Sequence, residues 1–184
     1  MKEDQRIRLS KQLLRNALLE LLKEKHISKV SVREICERAQ INRTTFYKYY
    51  GSQYELLEDI ENMLIAQITE RITVTAEKQE LSFIQILKYI DGNADLFRLL
   101  VNNDPDPMFS QKLLHLPEVQ QCITRFTENI GFSQYSRYNY EFFVNGGSSI
   151  IRSWLNKDDR ESPEDMSNYI CSLFNSIGNN SNGQ

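Results

Sequence analysis

A run of hydrogen-bonding and cationic side chains is the part of the sequence best suited to recognition chemistry. It comprises Asn42, Arg43, Thr44, Thr45, Tyr47 and Lys48. Arginine can bind guanine through two hydrogen bonds, and threonine offers a hydroxyl or a methyl group to base edges. Tyrosine and lysine side chains can reach the phosphates of a nucleic acid backbone. These residue types in one short segment indicate contact with nucleic acid.

Two short helices joined by a tight turn would position these side chains. A stripe of apolar residues with helical spacing predicts the first helix: Val32, Ile35, Cys36 and Ala39. Ser31 and Glu34 form a capping-box pattern at its start. Gln40 and Ile41 would make the turn, and Asn42 is a favourable N-cap for the second helix.

The second helix, expected over residues 42–50, has two different sides. Phe46, Tyr49 and Tyr50 fall together at about 100° per residue, so they are expected to face the core. The polar side chains fall on the other side, with Arg43 at its flank. This is the helix-turn-helix arrangement, in which the second helix enters the major groove of DNA. An ordinary helical hairpin with a solvated face remains the alternative at this point.

The segment resembles the DNA-binding domain of the TetR family of bacterial transcriptional regulators. The matching letters are SVREI at residues 31–35, QINR at 40–43 and TFYKYY at 45–50. The resemblance implies an operator of double-stranded DNA as partner. The residues expected to bind it are Ser31, Arg33, Asn42, Arg43, Thr44, Thr45, Tyr47, Lys48 and Tyr49. The chain departs from the family at His26, where Gly is usual, and at Gln53, where a phosphate-binding Lys is usual.

Composition and charge fit this interpretation. Seven Gly and four Pro among 184 residues are few, and alternating β-branched residues are scarce, which favours an all-α fold. Residues 1–50 hold twelve Lys and Arg against six Asp and Glu, a net charge of +6. The remaining residues hold ten against nineteen, a net charge of −9. A basic first third suits contact with a polyanion.

We expect about nine helices in two domains. A helix-turn-helix DNA-binding domain should occupy residues 1–52, a helical regulatory and dimerisation domain 53–178, and a disordered tail 179–184. Residues 1–8 are expected to be a mobile arm or a frayed terminus ahead of a helix over 10–25. A long fourth helix, expected to end near residue 75, would join the domains, so a tilt at its far end would move the DNA-binding helices.

Two closing helices, near residues 138–157 and 163–178, resemble the C-terminal dimerisation helices of TetR-type regulators. The first contains a Gly pair that costs about 1 kcal/mol per residue relative to Ala and is typical of close backbone approach. One helix-turn-helix discriminates too weakly among genomic sites, which favours a homodimer. The expected interface consists of Gly146, Gly147, Ile150, Ile151, Trp154, Met166, Ile170, Leu173, Phe174 and Ile177.

The second domain is also rich in aromatic residues, which in the TetR family line a ligand cavity. The residues expected to line it are Tyr89, Phe97, Phe109, Phe126, Tyr140 and Phe143. Ordinary core packing is the alternative for each. The resemblance implies an unknown small-molecule effector, apolar or amphipathic. Residues 85–175 further resemble the subfamily that includes the activator of dihydroxyacetone kinase operons.

Nothing in the sequence indicates catalysis, a metal or a cofactor. His26 and His115 lack metal-ligand spacing, and there are neither paired carboxylates nor a phosphate-binding Gly loop. Three cysteines without paired spacing favour reduced thiols. The absence of a signal peptide or long apolar run predicts a soluble, cytoplasmic protein without membrane contact. The alternative to a DNA-binding repressor is a protein-interaction module that no longer reads DNA, which Gln53 supports.

Overall fold

The computed structural model describes residues 2–76, 83–103, 108–117, 119–120 and 136–179. Over these residues the chain forms nine α-helices and no strand, which confirms the predicted all-α class. The helices are α1 Lys2–Glu24, α2 Val32–Ala39, α3 Arg43–Tyr47, α4 Gln53–Ala76, α5 Phe83–Gly92, α6 Ala94–Asn103, α7 Met108–Leu114, α8 Ser136–Leu155 and α9 Pro163–Asn179. A 3-10 turn, Ile27–Lys29, lies between α1 and α2.

The chain is helical earlier than the sequence suggested. Because α1 begins at Lys2, residues 2–8 are the first turns of a long helix, and the expected mobile arm is wrong for them. The segment contains no Gly or Pro, and its Lys, Glu, Gln and Arg residues favour helix. At the other end, α9 continues through Asn179. Residues 121–135, and residues 180–184 of the expected disordered tail, lie outside the described residues.

The first compact unit comprises the described residues up to Ala66 together with Asn102 and Asn103. Its core is formed by fully buried side chains: Leu14, Leu18, Ile27, Ile35, Phe46, Leu56 and Ile60. The expected domain boundary at residue 52 lies ahead of α4, whereas the first turns of α4 belong to this unit. The difference has a simple cause, since Leu56, Leu57 and Ile60 on α4 are buried.

A hydrogen-bond network joins three segments of this unit around Asp59 on α4. Its Oδ2 accepts from Arg15 Nε on α1 and from the Tyr50 hydroxyl, each at 2.7 Å. Burial opposes ionisation of Asp59, but these two hydrogen bonds outweigh it and lower the pKa of the carboxyl. Burial, and then the bond to Asp59, raises the pKa of the Tyr50 phenol. The network therefore links Tyr50, three residues after the end of α3, to α1 and α4.

The second compact unit comprises Gln67–Val101 and the described residues from Met108 onward. Here α5 packs against α9. Lys88 Nζ and Glu164 Oε1 are 2.6 Å apart, and Arg160 Nη2 and Asp91 Oδ1 are 2.8 Å apart, so two ion pairs flank this contact. The α8–α9 connection is held by Trp154, whose indole Nε1 donates to the carbonyl oxygen of Glu161 across 2.8 Å.

Candidate nucleic-acid interface

The start of α2 is fixed by the predicted capping box. The backbone amide of Glu34 donates to Ser31 Oγ at 3.3 Å, and the Ser31 amide donates to Glu34 Oε2 at 3.0 Å. Hydrogen bonds from Lys25 and then from Ser31 lower the pKa of Glu34 to about 2. The cap therefore keeps its ionised carboxylate throughout the neutral and mildly acidic range, and α2 keeps a defined first turn.

The turn between the helices is as short as predicted and has an unusual backbone at one residue. Gln40 ends α2 with φ 55° and ψ 39°, the left-handed conformation. The amide of Ile41 then donates to the carbonyl oxygen of Cys36 at 2.9 Å, which closes the turn. Asn42 follows as the N-cap of α3, its side chain accepting from the Thr44 amide at 2.9 Å. These bonds set the direction in which α3 leaves the turn.

The second helix presents one side to solvent and one to the core. Phe46 is fully buried and Tyr50 is 4% exposed, whereas Tyr47 is 59% exposed. Arg43, Thr44 and Lys48 are also exposed, and Thr45 is half-buried. The regular helix ends at Tyr47, three residues before the predicted end, although the Tyr50 amide still donates to Phe46 at 3.0 Å. Together the exposed residues form a short polar face, which we call the α3 face: Arg43, Thr44, Tyr47 and Lys48.

The cations of the α3 face are available to a ligand. Within the described residues, neither Arg43 nor Lys48 has an ion-pair or side-chain hydrogen-bond partner. Arg33 differs, because its Nε donates to Glu37 Oε1 at 2.6 Å in an exposed pair four residues apart on α2. A guanidinium and an ammonium without partners can bind guanine edges and phosphates directly. Arg33 would have to leave Glu37 first.

Three of the expected DNA-binding residues have structural roles within the chain. The Ser31 hydroxyl is used in the capping box as both donor and acceptor, and Asn42 caps α3. Tyr49 is half-buried, and the Lys11 ammonium lies 5.8 Å from its ring centroid. Their contribution to a nucleic-acid interface would therefore be to position α2 and α3. The contacts of Lys11 with Tyr49 and of Glu37 with Arg33 were not predicted from the sequence, since neither follows from helical periodicity.

The expected effector residues fall into three groups. Tyr89 and Phe97 line a cavity of about 100 Å³ within the second unit. Phe109 and Phe143 are buried and are not among the described residues of that lining. The side chains of Phe126 and Tyr140 lie outside the described part of the structure. Among the described residues, Tyr89 and Phe97 are therefore the two of the predicted aromatic side chains that line the cavity.

The residues expected at the dimer interface differ in their exposure within a single chain. Trp154, Met166 and Ile170 are 2%, 7% and 1% exposed within a single chain, so they offer no surface to a second copy. Helical periodicity identified their apolar faces but not that packing within one chain buries them. Gly147 is also buried, and Ile151 lines the cavity. Gly146, Ile150 and Leu173 are half-buried, and the side chains of Phe174 and Ile177 lie outside the description.

Two short helices with a capped, left-handed turn and an exposed polar second helix define a helix-turn-helix DNA-binding protein. A family profile described as bacterial regulatory proteins of the tetR family matches residues 14–60. A second profile, described as a transcriptional regulator C-terminal region, matches residues 77–176, more than half of the chain. The chain belongs to the TetR family. This is a family of transcriptional regulators, and the helix-turn-helix is its DNA-binding part.

Individual relatives agree with this assignment. The uncharacterised HTH-type transcriptional regulator YxbF of Bacillus subtilis is 26% identical over 87% of this chain and 43% of its own length. An uncharacterised HTH-type regulator of Haemophilus influenzae is 26% identical over 66% of this chain and 63% of its own length. The chain therefore spans less than two thirds of either relative.

A solved structure shares the fold. It is that of a TetR transcriptional regulator from Streptococcus agalactiae, with a TM-score of 0.73 and 23% identity over 95% of this chain and 98% of that one. Across the described residues, no helix has the length and apolarity to cross a membrane. Nor does that part of the chain bring together three His, Cys, Asp or Glu side chains able to hold a metal ion.

Proposed function

We propose that the chain is a repressor that binds a pseudo-palindromic operator as a homodimer and is released or modulated by a small-molecule effector. The observation that carries the proposal is the α3 face, which is exposed, cationic and held in place by buried Phe46. Arg43 and Thr44 would read base edges, and Tyr47 and Lys48 would bind phosphates. Neither the proposed repression nor the proposed mechanism involves catalysis.

The operator can be selected from random duplex DNA and its affinity measured by fluorescence anisotropy. Replacing both Arg43 and Tyr47 with Ala should abolish sequence-specific binding, because the lost base contact of Arg43 costs about 1–3 kcal/mol and the lost phosphate contact of Tyr47 weakens binding further. Lys157, an exposed cation of the second unit, provides the matched control, since its replacement by Ala should leave operator affinity unchanged. Selective operator binding by the double variant would contradict this proposal.

The proposed dimer would form on the exposed side of α8 and α9. Large aromatic side chains are exposed there: Tyr138 is 74%, Phe142 60% and Tyr169 52% exposed. Gly146 lies one turn after Phe142, and a Cβ at this position would meet nothing within 4 Å in one chain. Exposed aromatic residues beside an open glycine support close packing of a second copy. Its two helix-turn-helix units would then face operator half-sites about one helical turn apart or somewhat more.

Gly146 allows dimerisation to be tested apart from folding. Gly146→Leu should not lower the stability of one chain, because the site is open and Gly is unfavourable in a helix interior. It should block a closely packed second copy and yield monomers in analytical ultracentrifugation. Gly92→Leu, at an equally open glycine at the end of α5, is the matched control. A Gly146→Leu variant that stays dimeric would exclude this side of α8.

Two helices support communication between cavity and DNA. Ile68 on α4 and Phe97 on α6 line the cavity. The start of α4 is buried in the core of the first unit, and the last residue of α6, Asn103, accepts a hydrogen bond there from the Ile27 amide. An effector that moved either helix would therefore act on residues behind α2 and α3. The effector would act as a negative regulator by lowering operator affinity.

A protein-interaction module that no longer reads DNA is the second candidate. Gln53 favours it, because the family usually has a phosphate-binding Lys at the start of this helix and Gln carries no charge. The same Arg43 and Tyr47 double variant separates the two. A partner interaction that survived it, in a chain that never bound duplex DNA selectively, would favour the module.

A further inference from the structure

The cavity of the second unit has one charged residue in an otherwise largely apolar wall. Apolar side chains of five helices contribute to the lining, among them Ile68, Ile90, Phe97, Leu113 and Ile151. The described lining residues with polar side-chain atoms are Tyr89, Ser110, Ser148 and Arg152. Arg152, on α8, is the only one of them with a formal charge and is exposed to solvent. It therefore lines the cavity where water can reach it.

Arg152 differs from the other cations of this unit. Lys88 pairs with Glu164, Arg160 with Asp91, and Arg98 donates to the carbonyl oxygen of Leu155 at 2.7 Å. Within the described residues, Arg152 has no carboxylate or hydrogen-bond acceptor for its guanidinium. Ser148, one turn earlier on α8, already donates its hydroxyl proton to the carbonyl oxygen of Asn145 at 2.9 Å. The anionic group of a ligand would therefore pair with the guanidinium of Arg152.

We propose that this cavity binds a small monocarboxylate, with its apolar body among the aliphatic and aromatic side chains and its carboxylate paired with Arg152. This inference rests on the proposed effector function and gives the effector a chemical class. A guanidinium matches a carboxylate through two parallel hydrogen bonds. Because Arg152 is exposed, the carboxylate keeps part of its hydration. Its binding therefore costs less desolvation free energy than the binding of a fully buried charge would.

The size of the cavity restricts the apolar body. At about 100 Å³ it is somewhat smaller than the roughly 150 Å³ that accommodates benzene in an engineered apolar cavity. The apolar body can therefore be no larger than a single aromatic ring or a short alkyl chain, which excludes a long fatty acyl chain. Benzoate and hexanoate are suitable probes, and benzamide and hexanamide are matched neutral compounds of nearly the same shape.

The single tryptophan of the chain supplies the signal. Trp154 is buried, and its neighbour Leu155 lines the cavity, so tryptophan fluorescence should respond to filling. Both acids should bind, and both amides should bind at least about tenfold more weakly, because a charge-assisted hydrogen bond is lost. Arg152→Gln should weaken acid binding by about ten- to a hundredfold while leaving amide binding unchanged. Lys157→Gln, which removes an exposed cation of the same unit, should behave as wild type.

A second variant locates the binding. Ser148→Leu should fill the cavity and abolish the binding of acids and amides alike, while circular dichroism reports an intact fold. Three results would overturn the proposal: equal affinity for acids and amides, unchanged acid binding in Arg152→Gln, or acid binding that survives Ser148→Leu. The lack of any acid binding at millimolar concentrations would overturn it as well.

Operator affinity measured in parallel separates this inference from the proposed function. If a neutral compound released the operator while neither acid bound, the assignment of the ligand as a carboxylate would be wrong, and the proposed control by an effector would stand. If acids bound through Arg152 without changing operator affinity, the cavity assignment would stand and the proposed control through this cavity would fail.

Discussion

The side-chain Oδ1 of Asn103 accepts a hydrogen bond from the backbone amide of Ile27 at 2.9 Å. Both residues are buried, so this bond satisfies an amide that water does not reach. Ile27 begins the 3-10 turn ahead of α2, and Asn103 ends α6, the helix whose Phe97 and Val101 line the cavity. One hydrogen bond thus holds the end of a cavity-lining helix to the segment that precedes the DNA-binding helices.

Replacing Asn103 with Ala should lower the free energy of unfolding by about 1–3 kcal/mol, because the buried Ile27 amide loses its acceptor. The exposed neighbour Asn102→Ala provides a control in the same helix. Denaturant unfolding measures the stability, and amide hydrogen exchange measures the bond itself. Exchange at Ile27 should accelerate in Asn103→Ala alone. An Ile27 amide that remained equally protected would show that another acceptor replaces the side chain.

The network around Asp59 predicts a pH dependence. The pKa of Asp59 is lowered in the folded state, so its ionised form contributes stability above the unfolded pKa of about 3.9. That contribution is lost as pH falls through the lower, folded value. Asp59→Asn should cost about 1–3 kcal/mol at pH 7, because Arg15 loses its partner. The difference from wild type should shrink as pH falls below 4.

Thermal unfolding from pH 7 to pH 3 would measure this effect for wild type, Asp59→Asn and Asp95→Asn, an exposed carboxylate at the start of α6. The wild-type and Asp59→Asn curves should converge on acidification. The Asp95→Asn curve should stay close to wild type. A gap between wild type and Asp59→Asn that was constant across this range would mean that packing, and not charge, explains the loss.

The left-handed backbone of Gln40 predicts a stabilising substitution. A side chain at φ 55° crowds the following carbonyl, which costs about 1–2 kcal/mol, whereas Gly adopts this conformation readily. Part of the gain is offset by the greater freedom of Gly in the unfolded chain. Gln40→Gly should therefore raise the free energy of unfolding by about 0.5–1 kcal/mol. Gln40→Ala keeps a Cβ and should show no such gain, and equal stability of the two variants would contradict the argument.

Local rules predicted the helix-turn-helix from the sequence because each part depends on a few neighbouring residues. The capping box of Ser31 and Glu34, the Asn42 cap and the buried side of α3 with Phe46 all involve residues within four positions of one another. The bond between Ile27 and Asn103 joins residues 76 positions apart, so no periodic pattern could indicate it. The same limit explains the burial of Trp154, which depends on tertiary packing.

The exposed pair of Arg33 and Glu37 leads to a prediction on DNA affinity. Glu37 lies on α2 and, together with Arg33 and Arg43, lines a surface depression beside the α2–α3 turn. If the α3 face binds DNA, this carboxylate would repel the phosphates and compete with them for Arg33. Glu37→Gln would remove both effects, while an exposed pair four residues apart contributes only about 0.3–0.5 kcal/mol to stability.

A unit charge about 7 Å from a phosphate in water contributes roughly 0.6 kcal/mol, and a homodimer carries two copies. Glu37→Gln should therefore tighten operator binding by about two- to tenfold at low salt, with a smaller gain as salt screens the charge. Glu70→Gln, which removes an exposed carboxylate of the second unit, is the matched control because it changes the net charge equally. Anisotropy titrations at several salt concentrations would separate the two variants. Equal tightening by both would mean that net charge alone acts, and weaker binding by Glu37→Gln would mean that Glu37 orients Arg33 for its phosphate.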